Sequence, residues 1–126
     1  MAKVLIVDDS LFMRRILRGI VEGAGHVVIG EAGDGNEAME RYVELQPHLV
    51  IMDITMPNVD GLEGLRRIRI IDHDAKVIMC SAMGQQSFIK EALDMGALDF
   101  IVKPFRKDKV IQTINRALEY HPRYNL

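Results

Sequence analysis

In VLIVDDS, residues 4–10, four apolar residues lead directly into two adjacent aspartates. The apolar part is short and rich in branched side chains, which is typical of a strand that is covered on both faces of a parallel sheet. Two carboxylates about 4–5 Å apart repel each other by on the order of 1–4 kcal/mol, depending on how well water screens them. A partner that favours negative charge is therefore expected where this strand ends.

Further apolar runs of the same kind follow along the chain, and longer amphipathic segments separate them. The five predicted strands cover residues 4–7, 27–29, 49–52, 77–80 and 100–102. In the first segment between strands, apolar residues recur at helical spacing, as Met13, Ile16, Leu17 and Ile20 do. Strand alternating with helix about five times predicts an α/β fold, a doubly wound five-stranded parallel sheet with helices on both faces.

Capping patterns predict where two of these helices begin. Asp34 and Asp60 are each followed three residues later by a glutamate, Glu37 and Glu63. This is the pattern of an N-cap whose glutamate bonds back to the capping residue. The last helix is predicted over residues 106–120.

Composition and charge exclude several classes of protein. The chain has 126 residues, about one domain's worth, and its 48% hydrophobic and 27% charged residues are ordinary for a globular protein. No apolar run approaches the roughly 20 residues of a membrane span, and the start lacks the pattern of a signal peptide, so no membrane partner is expected. A net charge of −2 without a basic stripe argues against nucleic acid as a direct partner. The single cysteine, Cys80, favours a reducing cytoplasm.

Charged or reactive side chains follow four of the five predicted strands. They are Asp8 and Asp9, Asp53, Ser81 and Lys103. Because ligands of open α/β sheets lie outside the carboxyl ends of the strands, these side chains are expected to converge on one rim. Helix caps and turns explain an aspartate or a serine at any one of these positions, but not the whole set.

The chemistry of this set is that of a site for a hard divalent cation and a phosphoryl group. Asp9 and Asp53 can supply oxygen ligands to Mg²⁺ or Mn²⁺, with Asp8 in reach directly or through water. Asp53 is the acid best placed to attack phosphorus, while Lys103 can neutralise charge on the transferred group and the Ser81 hydroxyl can bind one of its oxygens. No glycine-rich nucleotide-binding loop follows the first strand, so a nucleotide cofactor is not expected.

Four motifs together carry a specific resemblance to a known family. They are VDDS at 7–10, MDITMPNVDG at 52–61, CSAMG at 80–84 and FIVKPF at 100–105. In these motifs the chain resembles the receiver domain of two-component response regulators, and it is similar above all to stand-alone chemotaxis regulators of the CheY type. The resemblance implies a flavodoxin-like, CheY-like fold, with a receiver domain over residues 1–120 and a short tail over 121–126.

The resemblance also implies a role for each residue of the predicted site. Asp53 would be the phospho-acceptor, Ser81 the switch hydroxyl, and Lys103 the residue before a cis peptide at Pro104. The implied metal ligands are Asp8, Asp9, Asp53 and the backbone carbonyl of Thr55. Thr55 and Met83, each two residues beyond a site residue, are expected to tune the lifetime of the phosphorylated form, since Met83 is bulky enough to exclude the hydrolytic water.

Output is expected to pass through a surface of the receiver itself, because no DNA-binding module follows it in this sequence. In the resembled family that surface consists of the fourth helix, the fifth strand and the fifth helix. The fourth helix here carries a wider apolar arc than one buried face requires, so one edge of it is expected to be exposed. The predicted members of this output face are Ile89, Leu93, Phe100, Val102 and Phe105, with Phe100 as the ring that moves.

The predicted function is that of a phosphorylation switch and not of an enzyme. A histidine kinase of the CheA type would phosphorylate Asp53, and a monomeric chain would then change its affinity for a target such as a flagellar motor switch protein. Three alternatives stay open: a shuttle in a phosphorelay, an Mg²⁺-dependent aspartyl-phosphate hydrolase and, on fold alone, an FMN-binding protein. Many turnovers of a phosphate ester would indicate the hydrolase, and a colourless protein would exclude FMN.

Two further groups of side chains receive structural interpretations. Cys80, in an apolar strand, is predicted to be a small buried hydrophobe. Arg14, Arg15 and Arg18 are predicted to lie on a solvated helix face, with a kinase-docking role for Arg14 as the alternative.

Overall fold

The computed structural model describes residues 1–121, and within that range five strands alternate with five helices. In chain order they are β1 (Lys3–Val7), α1 (Leu11–Gly23), β2 (Val27–Ala32), α2 (Gly35–Leu45), β3 (Leu49–Asp53), α3 (Gly61–Ile71), β4 (Val77–Ser81), α4 (Gln86–Asp94), β5 (Asp99–Val102) and α5 (Lys107–Glu119). Every predicted strand is present, and each is longer than predicted by one to three residues. Of the tail predicted over 121–126, residues 122–126 lie outside the described residues.

The strands form one parallel sheet in the order β2-β1-β3-β4-β5. The predicted α/β fold class is therefore confirmed. The chain leaves β1 in one direction to reach β2 and then crosses back to the other side of β1 to form β3. Such a reversal opens a crevice at the carboxyl ends of β1 and β3, which is where ligands of open α/β sheets bind.

Helices cover both faces of the sheet, as predicted. On one face α1 and α5 contribute Leu17, Val21, Val110 and Ile114 to a cluster with Ile6 and its neighbours in the sheet. On the other face α2, α3 and α4 contribute Ala38, Leu65, Ile68 and Ala92 to a cluster with Leu5 and Val7. Successive residues of β1 alternate between the two clusters because side chains alternate across a strand. A strand with two buried faces must be apolar throughout, which is why its polar residues appear only where it ends.

The predicted starts of α2 and α3 are confirmed, but the reciprocal glutamate bonds are wrong. Asp34 accepts a hydrogen bond from the Glu37 backbone N–H, and Asp60 accepts one from the Glu63 N–H, both at 2.9 Å. The Glu37 side chain, however, accepts from Gly33 N–H. The Glu63 carboxylate pairs with the two arginines on the next turn of α3, which are better partners than a backbone amide because they carry full charge.

The fourth helix differs from the prediction in which residues it exposes. Ile89 and Ala92 are buried in the core, whereas Phe88 and Leu93 are 43% and 40% exposed. At 100° per residue, Ile89 and Ala92 lie near the centre of the apolar arc and the other two lie at its opposite edges. Ile89 is therefore removed from the predicted output face, and Phe88, which was not among its predicted members, is exposed.

Within residues 1–121, no helix combines the length and the apolar content that crossing a membrane demands.

Candidate functional site

The side chains predicted to converge on one rim do so. Asp8 and Asp9 directly follow β1, and Asp53 is the last residue of β3, the strand next to it. One carboxylate oxygen from each of the three lies within 4.8 Å of the others. Asp8 and Asp53 are buried, while Asp9 is exposed. Three carboxylates this close form a site of strongly negative potential with an opening toward solvent.

Lys103 supplies the positive partner that the aspartate pair demands. It follows β5, and its ammonium lies 3.0 Å from Asp8 Oδ2 and 3.3 Å from Asp53 Oδ2. The peptide bond between Lys103 and Pro104 is cis, as the resemblance implied. The ammonium reaches two of the three carboxylates and leaves Asp9 on the solvent side of the cluster.

The protonation of this cluster reflects competition between burial and charge. Burial raises the pKa of Asp53 to about 6, with Lys103 opposing the shift and Asp8 and Asp9 adding to it. Burial acts to lower the pKa of Lys103, but its hydrogen bonds and charge interactions with Asp8 and Asp53 outweigh this, so the pKa is raised. Above about pH 7 the site therefore holds an ionised Asp53 beside a charged Lys103. An ionised carboxylate is the form that can act as a nucleophile.

The donor set fits a magnesium ion. Mg²⁺ prefers oxygen ligands, is commonly held by one or two carboxylates, and keeps several water molecules. The exposed Asp9 and the neighbouring Asp53 can supply such carboxylates, with water completing the coordination. The backbone carbonyl of Thr55, two residues beyond Asp53, remains a predicted ligand.

Gly61 brings the start of α3 against the end of β3, where Asp53 lies. A Cβ atom built at Gly61 would collide with the backbone carbonyl of Asp53. The Gly61 N–H donates to the Ile54 carbonyl at 2.7 Å, which closes the loop between β3 and α3. The glycine of the MDITMPNVDG motif is thus required by the close approach of two backbones beside the site.

Ser81 is the last residue of β4 and is almost fully buried. It pairs with Val102 of β5, and its carbonyl accepts a hydrogen bond from the Lys103 N–H at 2.8 Å. Phe100, two residues before Val102, is 38% exposed. Ser81 and Phe100 are therefore linked through one pair of hydrogen-bonded strands, although their predicted roles rest on the resemblance.

The remaining residues predicted for the output face differ in exposure. Val102 is exposed on the edge strand β5, as predicted, together with Leu93 and Phe100. Phe105 is half-buried and packs against the core cluster under α5. A cavity of about 390 Å³ beside β5 is lined by Phe100 and Val102 and by the basic side chains of Arg106, Lys109 and Arg116.

Cys80 has the structural role that was predicted for it. It is buried, and burial raises the pKa of its thiol well above its usual range. A thiol that stays protonated in an apolar strand has no nucleophilic role.

Sequence reasoning missed Gln85, which bridges two loops of the site. Its side-chain oxygen accepts from the Ala82 N–H at 2.7 Å, and its side-chain nitrogen donates to the Thr55 hydroxyl at 2.8 Å. The sequence signal that could have identified Gln85 is its position just before α4, where a serine, threonine, aspartate or asparagine is usual.

Met83 is 80% exposed, so it covers less of the site than its predicted role as a barrier to water assumed.

The interpretation of Arg14 as part of a solvated face is wrong. Its guanidinium donates to the backbone carbonyl of Asp8 at 2.6 Å and to Glu31 of β2 at 2.7 Å, and its side chain is 19% exposed. Arg18 donates to the same glutamate. Burial acts to raise the pKa of Glu31, but its hydrogen bonds with the two arginines outweigh burial and lower it. The loop that carries Asp8 and Asp9 is thereby tied to the edge strand β2.

Comparison with known proteins matches residues 4–115 to the response regulator receiver domain. The chain is 52% identical to the chemotaxis protein CheY of Thermotoga maritima over 91% of its own length and 96% of that protein's. It is 51% identical to CheY of Bacillus subtilis, over 92% and 97%. Among solved structures, a chain of the CheX–CheY–BeF3–Mg²⁺ complex of Borrelia burgdorferi superposes with a TM-score of 0.89, at 40% identity over 94% of this chain and 90% of that one.

Proposed function

The chain belongs to the response regulator receiver domain family, and from this premise we propose that it is a chemotaxis switch phosphorylated on Asp53. The single observation that carries the proposal is the buried Asp53 carboxylate beside Lys103, with the buried Asp8 and the exposed Asp9 in the same cluster. Relatives at about half identity over nearly the whole chain are named as chemotaxis proteins, which supports the pathway.

Asp8, Asp9 and Asp53, with the Thr55 carbonyl, would hold a magnesium or manganese ion. When bound, the ion supplies positive charge that neutralises the aspartates and the incoming phosphoryl oxygens. Lys103 contributes its own positive charge from the other side of Asp53, while the buried Ser81 offers a hydroxyl to a phosphoryl oxygen. Lys103 and Ser81 orient the phosphoryl group and stabilise its charge, but they form no covalent bond with it.

The covalent step takes place at Asp53. A bond forms between one Asp53 carboxylate oxygen and phosphorus, and the bond from phosphorus to the donor's imidazole nitrogen breaks, leaving its electron pair on that nitrogen. In hydrolysis the oxygen of a water molecule bonds to phosphorus, the bond from phosphorus to the Asp53 oxygen breaks, and inorganic phosphate leaves while Asp53 returns to its carboxylate form. A long-lived phosphorylated form between these two steps is the behaviour of a switch, whereas a hydrolase would pass through it rapidly.

The kinase is proposed to be of the CheA type, and the target a flagellar motor switch protein or another protein that binds the phosphorylated form. Phe100 and Val102 present exposed apolar side chains beside the basic residues near β5, and Phe88 and Leu93 expose apolar side chains on α4. Exposed apolar patches of this kind mark protein interaction sites. The alternative is a shuttle in a phosphorelay. Such a shuttle would use the same site but would need no surface that binds a target protein.

Intact-mass spectrometry after incubation with acetyl phosphate and Mg²⁺ tests the proposal. The wild-type chain should gain one phosphoryl group and lose it again slowly, whereas Asp53→Asn should gain none. Asp94→Asn, an exposed aspartate on α4, is the matched control and should behave as wild type. Phosphorylation of Asp53→Asn at the wild-type level would overturn the assignment, and rapid repeated turnover would favour a hydrolase.

A further inference from the structure

The side chain of Gln85 connects the loops that follow the two central strands of the site. Its oxygen accepts from the Ala82 N–H, and its nitrogen donates to the Thr55 hydroxyl, at 2.7 and 2.8 Å. Thr55 lies two residues after Asp53, and Ala82 directly follows Ser81. One amide thus spans the rim between the proposed phospho-acceptor and the proposed switch hydroxyl.

Gln85 makes this bridge instead of capping the helix that it precedes. It occupies the N-cap position of α4, yet no side-chain cap bond is present there, and only its backbone carbonyl accepts from the Phe88 and Ile89 N–H groups. Short side chains such as asparagine are favoured at this position because they reach the amides of the first turn. The longer glutamine instead points away from α4 and is half-buried.

The bridge occupies a backbone donor that directly follows the proposed switch hydroxyl and that is available to a phosphoryl group on Asp53 only when Gln85 releases it. Such a group has three strong acceptor oxygens, and each can accept a further hydrogen bond beyond its contact with Lys103, Ser81 or the cation. The Ala82 N–H is the first backbone donor beyond Ser81, and it is already bonded to Gln85. An oxygen that accepts this hydrogen bond from the phosphoryl side must displace the Gln85 oxygen, because a short, well-aligned N–H bond has one acceptor.

We infer that Gln85 is a latch, a positioning residue that holds the Ala82 N–H and Thr55 together in the unphosphorylated protein and releases both when phosphate arrives. The inference rests on the proposed function of Asp53. The latch favours the unphosphorylated arrangement because its two hydrogen bonds exist only there, and a ligand shifts such an equilibrium only through differences of this kind. Removing the latch should raise the affinity for a phosphoryl group by about three- to tenfold, the size of one net hydrogen bond.

The test titrates the full chain, at constant Mg²⁺, with BeF3⁻ as an analogue of the phosphoryl group, and follows backbone amides by NMR. Gln85→Ala should bind the analogue about three- to tenfold more tightly than wild type. Before any addition, the Ala82 amide signal of this variant should shift, and its hydrogen exchange should accelerate. Gln86→Ala, which changes the exposed neighbouring glutamine, is the control and should match wild type in both respects.

Gln85→Asn separates the latch from helix stability. Asparagine is one methylene too short to span both partners, yet it is a favoured N-cap and should stabilise the start of α4. Tighter binding in both Gln85 variants supports the latch. Opposite changes in the two would mean that helix stability governs affinity and would overturn it, as would wild-type affinity in both. Failure of the wild-type chain to bind BeF3⁻ near Asp53 would instead overturn the proposed function, and the latch with it.

Discussion

The ammonium of Lys103 lies 3.3 Å from a carboxylate oxygen of Asp53, at the bottom of the acidic cluster. Burial raises the pKa of Asp53 to about 6, and Lys103 keeps the shift from being larger. Ionisation of the buried Asp53 therefore lowers the stability of the folded protein, and this cost is smallest when the carboxylate is protonated. Residues at functional sites commonly have such shifted pKa values.

The first prediction follows from the sign of this shift. The folded protein holds the Asp53 proton to higher pH than the unfolded chain does, whose aspartate has the usual pKa near 3.8. The stability contribution of Asp53 therefore falls as pH rises between about 4 and 6, and the penalty is fully present above that range. Asp53→Asn should be more stable than wild type in EDTA at about pH 7.5, by up to about 3 kcal/mol, with the difference vanishing near pH 4.

Urea unfolding at several pH values in EDTA measures this difference. Asp94→Asn serves as the control because it changes an exposed aspartate. A stability gain in Asp53→Asn that does not depend on pH would show that packing, and not ionisation, separates the two proteins.

The second prediction concerns Asp9 as a metal ligand. The structure places the α1 N-cap at Ser10, whose hydroxyl accepts from the Met13 N–H, so removing the Asp9 carboxylate removes no cap. Asp9→Ala should lose Mg²⁺ binding and phosphorylation, while its melting temperature in EDTA should hold or rise because repulsion is relieved. Calorimetric titration with Mg²⁺ and thermal unfolding check both parts. A variant that melts much lower and still binds Mg²⁺ would contradict the assignment.

The acidic rim could be predicted from the sequence for a simple geometric reason. Parallel strands place their carboxyl ends at one edge of the sheet. Asp8, Asp53 and Lys103 each follow a buried apolar run, so the sequence places them at that edge without any knowledge of packing. Ile89 could not be placed in this way, because a helix with a wide apolar arc can be rotated by tens of degrees without breaking its pattern.

Arg14 and Gln85 escaped prediction because each has one partner that is distant in sequence. Arg14 contacts a glutamate 17 residues away, and Gln85 contacts a threonine 30 residues away. Their side chains follow no helical or strand period that would mark them as unusual. Contacts of this kind depend on how loops and edge strands pack, which local patterns do not determine.

The third prediction separates phosphate acceptance from switching at Ser81. Ser81→Ala should still accept phosphate, because the covalent step uses Asp53, but it should lose most of the coupling to Phe100. Amide chemical shifts around Phe100 should move on addition of Mg²⁺ and BeF3⁻ in wild type and barely move in the variant. Ser87→Ala, an exposed serine on α4, is the matched control. Equal shifts in Ser81→Ala and wild type would locate the coupling elsewhere.

The fourth prediction concerns the lifetime of the phosphorylated form. Hydrolysis requires a water in line with the bond from Asp53 to phosphorus, and Thr55 and Met83 are predicted to flank its approach. Thr55→Asn or Met83→Glu should change the rate of phosphate loss by up to about tenfold, roughly 1.4 kcal/mol in the barrier, with acceleration expected for the glutamate. Because Met83 is largely exposed, its effect should come from the added carboxylate and not from lost shielding. Radiolabel decay measures the rate, and wild-type rates in both variants would contradict the prediction.

The last prediction concerns Arg14, which holds the loop of Asp8 and Asp9 in place. Its guanidinium reaches the Asp8 carbonyl and Glu31 together through two separate nitrogens, whereas a lysine presents all its donors from one nitrogen at the end of a shorter side chain. Arg14→Lys keeps the charge but should lower Mg²⁺ affinity by about three- to tenfold, or about 0.7–1.4 kcal/mol, because the carboxylates lose their fixed position.

Calorimetric titration and thermal unfolding together decide between positioning and stability for Arg14. Arg18→Lys is the control, since Arg18 contacts the same Glu31 but not the loop, and it should leave Mg²⁺ affinity nearly unchanged. Glu31→Gln should lower the affinity in the same direction as Arg14→Lys, and the double variant should show less than the sum, because the two residues act through one contact. A lower melting temperature with wild-type Mg²⁺ affinity in Arg14→Lys would mean that the contact stabilises the fold without positioning the metal ligands.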